Sequence, residues 1–113
     1  YGSELSEERV RYAISNGIKV IDIDNLSNFK FDYIHTQQVF EHLANPREIL
    51  VKLISSLKDG GILFISVPNG SNVKAALDKE KWDPSISKNS RLSLNPISPL
   101  EHLNCFNFSS LVS

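Results

Sequence analysis

The hydrophobic and polar positions of residues 31–69 predict a strand, a polar corner, a helix and a second strand. Residues 31–36 form a short apolar strand, and a helix starts at Pro46, which fits the first helical position. The apolar residues of this helix recur with a period of about 3.6 and share one buried face: Ile49, Leu50, Leu53, Ile54 and Leu57. Gly60 is predicted to end the helix, and the apolar run 62–67 suits a strand covered on both faces. The segment therefore predicts one parallel β-α-β crossover.

The residues before this crossover predict part of a second unit. Ser6 is placed to cap a helix, Asn16 and Gly17 end it, and residues 18–21 begin a strand. Residues 22–30 are polar, rich in turn residues and too short for a crossover helix. We expect a loop there.

The residues after the crossover are less regular. A helical turn is predicted at residues 73–77, and residues 84–99 are rich in Ser, Asn and Pro. Long segments of this composition are usually lids or disordered loops, and we expect a lid that folds over a substrate.

The order of these motifs resembles the middle of a class I S-adenosylmethionine-dependent methyltransferase, in its small-molecule branch. The resemblance rests on Phe31-Asp32-Tyr33-Ile34, on the corner 39–43 with Asn45-Pro46, on Lys58-Asp59-Gly60-Gly61 and on Val67-Pro68-Asn69. It implies an α/β, Rossmann-like fold with a mostly parallel sheet and flanking helices, and S-adenosylmethionine as the cofactor.

The family's glycine-rich turn after the first strand has no counterpart, because Gly60 and Gly61 follow a helix. The chain also contains no methionine. We therefore interpret residues 1–113 as a single partial domain. Its core is residues 1–69, followed by an irregular insertion or lid at 70–100 and the start of a further helix at 101–113.

The resemblance implies cofactor contacts at the carboxyl ends of the strands. Glu4, followed by Leu5, stands where the family places an acid that binds both ribose hydroxyls. The alternative is an exposed acid beside a helix. Gln37 and Gln38 end the central strand and offer donors and acceptors to the methionine part of the cofactor.

The candidate adenine site follows the strand predicted at residues 18–21, which matches the third strand of the family's sheet. Counting along the family pattern favours Asp24 over Asp22 as the acceptor from the adenine amino group. Asn25 stands where an apolar residue is expected, which leaves Ile23 or Leu26 as the possible ring contact. Two solvated loop acids explain the same pattern equally well.

His42 is the candidate catalytic residue, because an imidazole can act as general base for a hydroxyl or amine nucleophile. The alternative is a structural histidine bonded within the corner. The long Ser/Asn/Pro-rich segment followed by His and Phe predicts that residues near 101–106 fold over the substrate, and the acceptor-side candidates are Asn69, His102 and Phe106.

An alternative from another class of function is a metal hydrolase whose metal site is built on four residues: Glu41, His42, Glu101 and His102. The spacing argues against it, because the sequence contains no His-Glu-x-x-His helix and no Cys/His cluster. The sequence therefore predicts no metal ion.

The composition of the chain argues against nucleic acids and membranes as partners. The 12 basic and 13 acidic residues give a net charge of −1 with no basic stripe, which disfavours nucleic-acid binding. The chain has one cysteine, Cys105, which we expect to be a small buried hydrophobe in a reducing, cytoplasmic setting. No apolar run approaches about 18 residues, so no membrane partner is expected.

The sequence as a whole predicts methyl transfer from S-adenosylmethionine to a small-molecule acceptor by the protein of which this chain is a part. The alternative is a non-catalytic Rossmann-like domain that binds a nucleotide or a partner. If the sheet lacks a strand, its exposed edges are expected to pair in a homo-oligomer.

Overall fold

The computed structural model describes residues 1–78, 95–98 and 101–112. Its helices and strands follow one another as α1 Glu7–Ser15, β1 Phe31–Gln37, α2 Pro46–Ser55, β2 Leu57–Ser66, α3 Val73–Asp78 and α4 Phe108–Leu111. Turns of 3-10 helix occupy Ile23–Asn28, Phe40–His42 and Asn95–Ile97. The order confirms the predicted α/β class and the β-α-β crossover. Most of the predicted lid, residues 84–94 and 99, lies outside the described residues.

Strands β1 and β2 are hydrogen-bonded neighbours and run parallel. At one end the Phe31 amide donates to the Ser56 carbonyl at 2.9 Å, and at the other the Gln38 amide donates to the Ser66 carbonyl at 2.8 Å. In the first bond the accepting residue comes 25 residues after the donor in the sequence, and in the second it comes 28 residues after the donor. β2 therefore accommodates three more residues than β1 over the same length, as a bulge does.

The predicted end of the second helix is wrong. Helix α2 ends at Ser55, and Leu57 opens β2 instead of completing the helical stripe. Gly60 lies inside β2 with φ of 75°, a left-handed conformation that glycine adopts without the usual steric cost. Gly60 thus shapes the irregular start of the strand and does not end the helix.

The first helix is capped differently from the prediction. Ser6 makes no side-chain capping bond. The Glu4 carboxylate accepts instead from the Leu5 and Ser6 amides. The helix ends as expected at Asn16 and Gly17, where Gly17 has φ of 78°.

The strand predicted at residues 18–21 is reduced to an isolated parallel bridge between Gly2 and Val20. Residues 22–30, expected as a loop, contain the 3-10 helix Ile23–Asn28, which Asp22 caps by accepting from the Asp24 amide at 3.0 Å. The turn buries Leu26, whose carbonyl accepts from the buried Ser56 hydroxyl at 3.0 Å. That long-range bond and the burial of one leucine explain why the segment is ordered.

The chain divides into two compact units, Tyr1–Ile34 with Arg47–Leu63, and His35–Pro46 with Phe64–Ser113. The first unit buries Ile21, Leu26 and Leu53. The second buries Phe40 together with Glu41. The predicted stripe of α2 is only partly buried, because Ile54 remains 55% exposed.

Candidate functional site

Glu4 lies two residues beyond the Gly2–Val20 bridge, in the first unit. Its Oε1 accepts from the amides of Leu5 at 2.8 Å and Ser6 at 2.9 Å. Its Oε2 is 3.7 Å from an Arg9 guanidinium nitrogen. The amides of Ser6 and Leu5 hold the pKa of Glu4 below its ordinary value. The side chain is therefore an oriented carboxylate, with spare lone pairs for hydroxyl donors.

The candidate adenine residues cluster in the 3-10 helix of the first unit. The Asp24 carboxylate is paired with the Lys52 ammonium at 2.8 Å, and Glu48 lies 3.2 Å from the same nitrogen. These two acids, Asp24 first, raise the pKa of Lys52. Asp22 is used as a cap, Ile23 is half-buried and Asn25 is exposed. Asp24 is accordingly an acceptor that already has a cationic partner.

Gln37 and Gln38 lie at the carboxyl end of β1 and are exposed. Gln38 has φ of 54°, and its amide donates to the Ser66 carbonyl. A left-handed backbone is uncommon for a non-glycine residue and is concentrated at functional sites. The conformation turns the chain out of the strand and into the corner that follows.

His42 lies in the corner of the second unit, at the end of the 3-10 helix Phe40–His42. Its Nδ1 is 2.7 Å from the Glu101 carbonyl, and its Nε2 is 3.9 Å from the Glu41 Oε1. Because a carbonyl can only accept, Nδ1 carries the proton in this bond. In the neutral ring, Nε2 is then the nitrogen with a free lone pair.

Residues 101–104 are fastened to this corner by a set of long-range hydrogen bonds. The amides of Leu103 and Asn104 both donate to the Glu41 carbonyl, at 2.7 and 3.0 Å. The Asn104 side-chain amide donates to the carbonyls of Leu43 at 2.6 Å and Phe40 at 3.3 Å. His42 and the acceptor-side candidate His102 are brought together in this way, with ring centroids 4.8 Å apart.

Asn69 and Phe106, the other acceptor-side candidates, are joined by a parallel bridge in the second unit. The Gly70 amide donates to the Phe106 carbonyl at 2.7 Å, and the Asn69 side chain accepts from the Ser71 amide at 3.0 Å. The predicted burial of Cys105 is wrong: the residue is exposed. Its thiol is shielded enough for partial burial to raise its pKa.

Three side chains of the metal site that the sequence disfavoured converge at the corner. Glu41, His42 and His102 each offer a ligand atom, and these atoms all lie within 4.8 Å of one another. Glu41 is only 1% exposed. Glu101, the fourth residue of that disfavoured site, accepts the hydrogen bond from Nδ1 of His42 through its backbone carbonyl and not through its carboxylate. The amides of Leu103 and Asn104 bring His102 close to Glu41 by donating to the Glu41 carbonyl, and the sequence contains no short motif for these long-range bonds.

Comparisons with known proteins give two matches. A family model described as a methyltransferase domain matches residues 1–111. The ubiquinone biosynthesis O-methyltransferase of Rickettsia prowazekii (strain Madrid E) is 35% identical over 63 residues, which cover 51% of this chain and 25% of that protein. The chain thus matches about a quarter of the length of this relative. No solved structure matches.

Within residues 1–78, 95–98 and 101–112, no helix has the length and apolar content needed to cross a bilayer.

Proposed function

The chain belongs to the class I S-adenosylmethionine-dependent methyltransferases, and from this premise we propose that the whole protein methylates a small molecule with S-adenosylmethionine as the donor. The name of the Rickettsia relative favours an oxygen over a nitrogen or carbon as the methylated atom. The net charge of −1, without a basic stripe, supports a small acceptor over a nucleic acid. We also place the protein in the cytoplasm.

Glu4 is the observation that carries the cofactor proposal. The two backbone amides fix its carboxylate and lower its pKa, so it is charged at neutral pH. A carboxylate at the carboxyl end of a strand is a suitable acceptor for the two ribose hydroxyls of a nucleoside. Leu5 is 87% exposed next to it and offers an apolar surface.

The remaining cofactor contacts are proposals of the same kind. Asp24, with Ile23 and Asn25, is assigned to the adenine end, and Gln37 and Gln38 to the methionine end. The left-handed Gln38 supports its assignment, because strained backbone concentrates where ligands bind. The Lys52 ion pair of Asp24 must loosen or be shared for this carboxylate to accept from an amino group.

His42 is proposed to assist the transfer. When bound, S-adenosylmethionine would supply a methyl group on a positively charged sulfur. The acceptor oxygen would bond to the methyl carbon as the C–S bond breaks and S-adenosylhomocysteine leaves, an in-line transfer that depends chiefly on proximity and orientation. The acceptor hydroxyl loses its proton as the new C–O bond forms. With Nδ1 fixed on the Glu101 carbonyl, Nε2 of His42 is the nitrogen available to take that proton. Asn69, His102 and Phe106 are assigned to the acceptor side.

Replacing Glu4 tests the cofactor proposal. In the full-length protein, Glu4→Gln should weaken the binding of S-adenosylhomocysteine about tenfold or more, because each charge-assisted hydrogen bond contributes about 1.5–3 kcal/mol. Titration calorimetry measures the affinity. The control is Glu7→Gln, an exposed acid in the first turn of α1 whose carboxylate is 3.5 Å from an Arg11 guanidinium nitrogen. Equal affinities for the two variants would refute the role of Glu4.

A further inference from the structure

We propose that Glu41, His42 and His102 form a binding site for a divalent metal cation, and that Zn²⁺ is the ion that fits these ligands best. The proposal concerns only the second unit of the chain and does not depend on the proposed methyl transfer. When the metal is bound, Nε2 of His42 is a ligand, so His42 can act as the base only in the metal-free protein.

The first observation is a buried carboxylate without hydrogen-bond partners. Glu41 is 1% exposed, and among the described residues neither of its side-chain oxygens has a hydrogen-bond partner. Nε2 of His42 is 3.9 Å from Oε1, which is too long for a hydrogen bond. A buried charge is costly unless it is paired or coordinates a metal. Within the part of the chain that the structure describes, the Glu41 carboxylate therefore has no cation at hydrogen-bond distance.

The second observation is the orientation of His42. Metal-ligating histidines almost always donate the other ring N–H to a carboxylate, a carbonyl or water. His42 does this through Nδ1, which is 2.7 Å from the Glu101 carbonyl. Its other ring nitrogen, Nε2, is 3.9 Å from the Glu41 Oε1.

The third observation is His102, which is half-buried and whose buried Nδ1 has no hydrogen-bond partner among the residues that the structure describes. Its ring is 4.8 Å from that of His42, at an interplanar angle of 79°. The neighbouring Leu103 and Asn104 amides are anchored on the Glu41 carbonyl. The segment that carries His102 is thus held in place by the backbone carbonyl of Glu41.

The donor set indicates which cation fits. Two imidazoles and one carboxylate are the protein ligands of zinc sites that keep an open coordination position, and imidazole also suits other first-row metals. Mg²⁺ and Ca²⁺ prefer oxygen ligands alone. Ligands about 2.1 Å from a tetrahedral ion are about 3.4 Å apart, so side-chain movements of about 1 Å would close the present 4.8 Å arrangement. The open position would hold water or a further oxygen ligand.

Metal titration of the full-length protein tests this site without any methyl donor. We expect calorimetry with ZnCl₂ to show saturable binding, and CoCl₂ to give the visible absorption of a site with nitrogen and oxygen ligands. His42→Ala and His102→Ala should each weaken Zn²⁺ binding at least tenfold. His35→Ala is the matched control, because His35 lies in β1 outside the cluster and packs on Phe64. It should bind as the unchanged protein does.

Glu41→Gln provides a second readout, because it removes the charge and keeps the shape of the buried side chain. We expect Zn²⁺ to raise the melting temperature of the unchanged protein and not that of this variant. The absence of saturable Zn²⁺ binding would overturn the proposal, as would equal losses for His35→Ala and the two ligand variants. Metal binding that persists when methyl transfer is absent would support this site and count only against the proposed function.

Discussion

At the scale of single residues, Asn104 is the most informative side chain that the sequence did not single out. It closes the polar corner by donating to the carbonyls of Leu43 and Phe40, which lie about 60 residues earlier in the chain. No short motif announces such a contact, because its geometry exists only once the two segments have folded together. Glu4, in contrast, accepts from the amides of its neighbours Leu5 and Ser6, and its role in cofactor binding stays a prediction that the family resemblance implies.

Replacing Asn104 should loosen the corner. Asn104→Ala leaves the Leu43 carbonyl without its 2.6 Å donor, and an unsatisfied buried group costs about 1–3 kcal/mol. We expect a lower melting temperature and faster amide exchange at residues 101–104. Asn72→Ala, at an exposed turn position, is the control and should change neither. Unchanged exchange at 101–104 in the Asn104 variant would show that the backbone bonds alone hold this segment.

At the scale of elements, the boundary between α2 and β2 shows where sequence reasoning failed. The apolar period of about 3.6 continues from Leu53 to Leu57 and suggested a longer helix. A parallel strand next to β1 satisfies the backbone from Leu57 onward, as the bond from the Phe31 amide to the Ser56 carbonyl shows. A tertiary pairing therefore ended the helix earlier than the local pattern predicted. Helix α1, strand β1 and the start of α2 depend on local signals and were predicted correctly.

The left-handed glycine of β2 can be tested by substitution. Gly60 has φ of 75°, and a Cβ at this position would meet no atom within 4 Å. Gly60→Ala should therefore destabilise through backbone strain alone, by about 1–2 kcal/mol. Chemical denaturation measures this change, with Asp59→Ala as the neighbouring control. A Gly60 variant as stable as the control would mean that the bulge relaxes without strain.

At the scale of the whole molecule, the surface of the strand pair carries apolar side chains that meet solvent. Tyr33, Ile62 and Phe64 are 55%, 61% and 48% exposed. Apolar strand surfaces and unpaired strand edges are templates for association with another chain. The sequence-based expectation is of the same kind: a sheet that lacks a strand leaves edges that pair with another copy.

We therefore predict that the 113-residue chain self-associates. The weight-average mass from light scattering should exceed that of a monomer and fall when Ile62 and Phe64 are both changed to Ser. Val51→Ser is the control, because Val51 is 60% exposed on helix α2 and outside the strand pair. A monomer at all concentrations would contradict the prediction, and an equal effect of the control would assign the association to another surface.

The central claim is that the whole protein transfers a methyl group and is not a silent nucleotide-binding domain. The most direct measurement incubates the full-length protein with methyl-labelled S-adenosylmethionine and a panel of small phenols and other hydroxyl compounds. We expect label in a methylated product and an equal amount of S-adenosylhomocysteine. When S-adenosylmethionine is limiting, the Glu4→Gln variant should form less of both. Binding of the donor, or of another nucleotide, without label reaching any acceptor would contradict it and favour the non-catalytic domain.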